Sequence, residues 1–143
     1  MKSYTDLEQS KKLAEFLPLE SADMYYKYVL PKTDKIHHVP EIGNPINSLK
    51  WYNEGYTFSG KRKPITLNDY CIPCWSLAAL LNLIPKHIKE HNVLRTDIDE
   101  NTFAMWYDEI GYGVNLELPD IEMSEPVDAC YEMILKLHEQ NIL

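Results

Sequence analysis

Residues 71–91 read Cys71-Ile-Pro-Cys74-Trp-Ser-Leu-Ala-Ala-Leu-Leu-Asn-Leu-Ile-Pro85-Lys-His87-Ile-Lys-Glu-His91, and two readings of this stretch lead to different proteins. As ligands, Cys71, Cys74, His87 and His91 stand at the C-x2-C-x12-H-x3-H interval at which a small zinc finger offers two thiolates and two imidazoles to one metal ion. As a fold segment, Trp75, Leu77, Ala78, Leu80, Leu81, Leu83 and Ile84 put apolar groups all round a helix, which makes that helix central and covered on several sides. Pro73 opens it, where a missing amide costs nothing, and Pro85 ends it. A DNA-reading finger would need Pro85 inside the histidine helix, at roughly 3 kcal/mol, and would turn Leu80 and Leu83 to base edges they cannot hydrogen-bond. The second reading therefore decides the fold. Cys71 and Cys74 flank the start of a buried helix, and His87 and His91 are solvated residues beyond its end. A structural zinc held by the same four residues in another geometry stays as an alternative, because zinc has no d-electron preference of its own.

Outward from this helix the periods change. Phe103, Met105 and Tyr107 share one face of a period-two segment, and Val114, Leu116 and Leu118 share another, joined across Gly111 and Gly113 as a meander with a strand over residues 93–98 ahead of it. A last helix begins after Ser124, with Glu125 and Asp128 complementing its dipole and Val127, Cys130, Ile134 and Leu137 as its core stripe. Cys130 is thus a packed thiol. On the N-terminal side, Thr5-Asp-Leu-Glu8 reads as a capping box for a helix over residues 6–17 that stops before Pro18. Residues 24–30, dense in Tyr and Val, read as a strand. Residues 33–67 carry Pro40, Pro45 and Pro64 with Gly43, Gly55 and Gly60 among aromatic residues, which predicts a long ordered excursion with short strands at most. The plan is α+β: three helices packed against a mostly antiparallel sheet, in a single domain over residues 1–143.

The chain is acidic, with a net charge of −8 and eleven Asp and Glu between Thr96 and Leu135, a stretch without Lys or Arg. Lys61-Arg62-Lys63 is the basic cluster. A negative field opposes nonspecific binding to DNA or an anionic membrane, since phosphate binding rests on Lys and Arg displacing counterions. The partner expected on these grounds is another protein. Three cysteines are an odd number, and no apolar segment follows Met1-Lys-Ser-Tyr4, so a reducing cytoplasm is expected rather than a disulfide framework. The longest apolar run, Ile72 to Ile84, is too short to span a bilayer.

Several strings approach known chemistry and fall short. Gly55-Tyr-Thr-Phe-Ser-Gly60-Lys61 follows a phosphate-binding loop up to its lysine, then has Arg62 in place of the magnesium-binding hydroxyl and Pro64 where a helix should run. His87-Ile-Lys-Glu90-His91 is the inverted zinc-protease string in a chain too small for a substrate cleft. Asp97-Ile-Asp99-Glu-Asn101 starts like a calcium loop, but Thr102 stands where the loop needs glycine, so a hairpin turn is expected. Cys71-Ile-Pro-Cys74 has the C-x-P-C form of thioredoxin-like enzymes, in which a helix N-terminus favours the thiolate, yet the buried strand that should precede it is missing. Trp51, Tyr52, Tyr56 and Phe58 ahead of Lys61-Arg62-Lys63 could stack single-stranded bases beside phosphate contacts, although core packing of the rings is the preferred reading.

Four segments carry a resemblance: Tyr4-Thr-Asp-Leu-Glu-Gln-Ser-Lys-Lys-Leu-Ala-Glu15, Leu17-Pro-Leu-Glu-Ser-Ala-Asp-Met24, Ile72-Pro-Cys-Trp-Ser-Leu-Ala-Ala-Leu-Leu81 and Pro126-Val-Asp-Ala-Cys-Tyr-Glu-Met133. Together they resemble uncharacterised small proteins of Bacteroides and related gut bacteria, often linked to phages and mobile elements. The layout is more weakly similar to phage α-β-α sandwich domains. The resemblance implies a bacterial cytoplasmic setting and an accessory role, with no catalytic residues and no cofactor to carry over. The expectation is therefore a non-enzymatic accessory protein of a phage or mobile element that acts by protein binding. The alternatives are a thiol-disulfide or structural zinc protein centred on Cys71 and Cys74, and single-stranded nucleic-acid binding through residues 51–63.

Overall fold

A computed structural model of the chain describes residues 1–110 and 117–143. These divide into two compact units, Thr5–Ala79 and a second formed by Met1–Tyr4 with Leu80–Leu143. The architecture is mixed α+β with antiparallel sheets, and the described residues form five α-helices rather than the three expected. No helix among them is long and apolar enough to cross a membrane.

In the Thr5–Ala79 unit the chain runs through α1 (Leu7–Ala14), a 3-10 turn (Leu19–Ser21), β1 (Met24–Lys27), β2 (Glu41–Ile42), α2 (Pro45–Asn53), the hairpin of β3 (Tyr56–Thr57) and β4 (Gly60–Lys61), α3 (Leu67–Tyr70) and β5 (Cys71–Cys74). The sheet order is β2-β1-β5, all antiparallel. Cross-strand partners share a face and faces alternate along a strand. Lys27 with Cys71 and Tyr25 with Pro73 therefore lie on one side of the sheet, and Met24 with Cys74 and Tyr26 with Ile72 on the other. On the first side Tyr25, Tyr70 and Cys71 form a buried cluster against which Leu49 and Tyr52 of α2, Ile65 and Leu67 pack. On the second side Tyr26 donates its hydroxyl to the Thr5 carbonyl at 2.8 Å, just ahead of α1.

Two expectations about this unit are corrected. Cys71–Cys74 is a fully buried strand, not the start of a helix; a four-residue apolar run has no period long enough to tell strand from helix, and pairing with β1 decides it. Pro73 is accommodated because β5 lies at the edge of its sheet, where a missing ladder donor is tolerated. The helix that follows, α4 (Leu77–Leu83), begins after Ser76, whose hydroxyl accepts the Ala79 amide and donates to the Asp23 carboxylate. The capping box is also one residue later than expected, formed by Asp6 and Gln9. Thr5 is withdrawn into the interior, where its hydroxyl meets Ser10 Oγ at 2.7 Å and accepts the Trp75 amide at 3.2 Å.

In the second unit the end of α4 leads into β6 (His87–Ile88), β7 (Asn92–Ile98), β8 (Phe103–Glu109), β9 (Ile121–Met123) and α5 (Pro126–Glu139), the strands forming an antiparallel sheet in that order. The strand expected ahead of the meander is β7, and the Phe103–Met105 face is buried as its period implied. The Asp99 carboxylate accepts the amides of Asn101 and Thr102, making the expected hairpin turn. Gly111, Gly113, Val114 and Leu116 of the expected second meander strand lie outside the described residues, and Leu118 is in no strand. Among the described residues β8 pairs with β9, through Met105 opposite Ile121 and Phe103 opposite Met123. Val127, Cys130, Ile134 and Leu137 of α5 are all fully buried. Lys2 ties the N-terminus to the start of this helix, donating its amide to Glu125 and its ammonium to Asp128, at 2.8 and 2.7 Å.

Candidate binding surface

The four metal-ligand candidates are placed as follows. Cys71 and Cys74 are buried on opposite faces of β5, His87 is exposed on β6, and His91 is half-buried with its Nδ1 3.3 Å from the Ile110 carbonyl oxygen. Three residues along a strand separate two Cα atoms by about 10 Å, past the roughly 7 Å that a disulfide spans. Burial pushes the Cys71 thiol up to about 12 and the Cys74 thiol upward as well, away from the reactive thiolate. Cys130, likewise raised to about 12 by burial, lies 3.8 Å from the Met105 sulfur. Among the described residues, no group of three or more His, Cys, Asp or Glu is arranged to hold a metal ion. The string His87–His91 occupies a strand and turn rather than the long helix that a zinc protease requires, and the Gly55–Lys61 string follows a helix and forms a hairpin rather than a phosphate loop.

The aromatic and basic residues between 51 and 63 are a different matter. Core packing was expected of these rings, and the structure grants it to Tyr52 alone. Trp51 and Tyr56 are each 74% exposed and Phe58, at the tip of the β3–β4 hairpin, is fully exposed. The division follows the helix period: Pro45, Leu49 and Tyr52 turn to the sheet, and Trp51 falls on the other side of α2.

Tyr52 begins a stack that runs inward. The Arg62 guanidinium lies 4.5 Å over its ring, Tyr70 is 5.4 Å further on, and Tyr25 is 5.8 Å beyond that, with the Tyr25 hydroxyl donating to Glu41 at 2.8 Å. Burial raises both Tyr25 and Tyr70 above the usual phenol range, so both stay neutral donors. Arg62 is fixed further by its amide, which donates to the Gly55 carbonyl at 3.0 Å. A Cβ on Gly55 would lie 3.1 Å from an Arg62 guanidinium nitrogen and 3.2 Å from the Tyr52 carbonyl oxygen, so a side chain there would have to push these neighbours back by a few tenths of an ångström. Gly60 sits at φ +121 in the hairpin turn, a conformation only glycine adopts without strain. Asn53 clamps the far wall, donating to the Ile65 carbonyl and accepting its amide at 3.1 and 3.0 Å.

This framework encloses a cleft of about 660 Å³ whose walls include Leu30, Lys32, Tyr52, Lys61, Arg62 and Lys63. Phe58 stands between two further lining residues, Thr57 and Ser59. Lys32 is partly neutralised by Asp69 at 3.7 Å, whereas Lys61 and Lys63 pair with no carboxylate among the described residues. The cleft thus offers unpaired ammonium groups and a stacked guanidinium, while the exposed rings belong to the same helix and hairpin without lining it. These are the groups that hold a flexible polyanion bearing flat rings.

Comparison with family models, with curated proteins and with solved structures returns no match to this chain. The geometry of the cleft therefore carries the functional reading by itself.

Proposed function

We propose that the protein is a binding protein and that the surface over residues 45–63 takes single-stranded nucleic acid. The observation that carries the reading is a cleft lined by Tyr52, Lys61, Arg62 and Lys63, with Trp51, Tyr56 and Phe58 exposed outside its lining on the same helix and hairpin. Each base stacked on an aromatic ring contributes about 1–3 kcal/mol, whichever base it is, so exposed rings on the helix and hairpin that carry three cleft-lining cations suit a ligand recognised by its chain chemistry. The acidity of the whole chain argues less strongly against this ligand once it is apportioned. Thr5–Ala79 holds nine Asp and Glu and nine Lys and Arg, so the net charge of −8 belongs to the remaining residues. Screening limits a field at the surface to roughly 8–10 Å at physiological ionic strength, so charges close to the cleft weigh most on a ligand there.

The test uses the tryptophans. Of the three tryptophans, Trp75 is fully buried, Trp106 is half-buried on β8 and in neither cleft's lining, and Trp51 is exposed. Titration with an unstructured oligothymidylate or oligouridylate at low salt is expected to quench emission, and Trp51→Ala is expected to abolish most of that quenching. Phe58→Ala weakens binding about tenfold, the equivalent of one stack removed. No binding by the wild-type chain at low salt would end this reading.

A protein partner, the role expected from the sequence, is kept as the second reading because Val39 and Ile42 are large apolar residues left 68% and 88% exposed. The accessory role in a phage or mobile element and the bacterial cytoplasmic setting are proposed on the resemblance alone. The thiol and zinc alternatives lose ground to the placement of Cys71 and Cys74 on opposite faces of β5.

A further inference from the structure

A second cleft, of about 310 Å³, opens on the same unit among Lys11, Tyr28, Lys32, Asn68, Ile72 and Pro73. Lys32 lines both this cleft and the larger one. Its ammonium lies 4.8 Å over the Tyr28 ring, donates to the Asn68 carbonyl at 2.9 Å and approaches the neighbouring Asp69 at 3.7 Å. It therefore stands as a fixed post where the two clefts meet. The smaller cleft repeats the chemistry of the larger one in reduced form, with an aromatic ring, Tyr28, a cation above it, and a second cation, Lys11, on the wall. Lys11 pairs with Glu8 at 3.6 Å on an exposed surface, a contact that contributes little and yields readily to a phosphate.

We infer that the two clefts are one track, entered at the hairpin and continued past Lys32 to Lys11, so that the ligand is an extended strand rather than a nucleotide or a short end. The inference rests on the nucleic-acid reading and adds to it a site length and a direction. A single-stranded ligand that fills only the larger cleft meets Lys61, Arg62 and Lys63; a longer one also reaches Lys32, Tyr28 and Lys11.

The experiment is fluorescence anisotropy with labelled oligothymidylates and oligouridylates of increasing length, spanning the site sizes of about 4 to 16 nucleotides known for single-strand binders. Affinity is expected to rise with length in two stages. Lys11→Glu and Tyr28→Ala should each weaken the longest oligomers about tenfold while leaving the shortest binding oligomer unchanged, which moves the plateau to a shorter length. Lys12→Glu, the same charge change one residue along α1 and outside both clefts, should behave as wild type, and far-UV circular dichroism checks that each variant folds. Constant affinity from the shortest binding length upward, with Trp51→Ala still defective, would overturn the track and leave the larger cleft as the site. Binding of no length at all would overturn both readings. Competition by polyglutamate as effective as by the oligonucleotide would show a track for acidic polypeptides and overturn the assignment to nucleic acid.

Discussion

Cys71 and Cys74 sit three residues apart on a strand, and that spacing governs their chemistry more than their sequence motif does. Each thiol faces a different layer, Cys71 among Tyr25 and Tyr70 and Cys74 beside Thr5, whose carbonyl lies 3.5 Å from its sulfur. Desolvation carries the Cys71 and Cys130 thiols from the ordinary 9.0 to about 12. Two consequences are measurable. In native protein at neutral pH none of the three thiols should react with a thiol-disulfide reagent, and all three should react once the chain is unfolded; a fast-reacting native thiol would refute the buried placement. Because the folded values lie above the unfolded ones, the stability that comes from keeping these thiols protonated is complete below about pH 9 and is lost as pH rises toward 12. The urea midpoint should therefore fall across that window, and less steeply in Cys71→Ala. At this scale Cys130 was legible, since its helix has period enough over fourteen residues to assign a face, whereas four residues from Cys71 to Cys74 do not. Thr5 was misplaced by one step because its hydroxyl has a tertiary partner, the Trp75 amide, that a local capping pattern does not reveal.

Among the elements, α2 is the one that builds the binding surface, and with α3 it is one of the two helices that the sequence did not suggest. Its start was written in the chain as Asn44-Pro45, an N-cap followed by proline at the first helical position, but among three prolines and three glycines it reads equally as a break. The Asn44 side-chain oxygen accepts the amides of Ile46 and Asn47, and its nitrogen donates to the Ala22 carbonyl at 3.0 Å, joining the helix to the segment before β1. Asn44→Ala should destabilise the protein by about 1–2 kcal/mol in urea unfolding, and Asn44→Asp, which keeps the accepting oxygen, should recover the capping share alone. An Asn44→Ala variant as stable as wild type would mean that α2 is held by Leu49 and Tyr52 without its cap. The strands β7 and β8 were legible because seven residues each of period two are unambiguous. The pairs β3–β4 and β1–β2 are two residues deep, too short to carry any period, and the second depends on a partner distant in sequence.

Over the whole molecule, charge is segregated, and this was only half visible beforehand. The acidic stretch from Thr96 to Leu135 was plain in the sequence, but the electroneutrality of Thr5–Ala79 emerges only when the compact units are known. Likewise no pattern distinguished the buried face of Tyr52 from the exposed Trp51 beside it until α2 existed to give them a period. The separation of charge sets a salt dependence. The logarithm of oligonucleotide affinity should fall linearly with log salt, and neutralising Lys61 or Lys63 should lower the slope by about 0.7 for each phosphate no longer bound, while Lys136→Ala, on α5, should leave it unchanged. Equal slopes in all variants would place the phosphate-binding groups elsewhere. Pro73 has a consequence for a crowd of such molecules. Strand β5 is a margin of its sheet, the kind of border along which identical chains add to one another and grow into fibrils. Proline in the middle of that border offers no amide to an arriving strand, so the row of donors is interrupted in a four-residue stretch too short to recruit from either side. The residue that made this segment look like the mouth of a helix thus breaks the donor row of a hydrophobic, cysteine-bearing strand whose burial already withholds it from other chains.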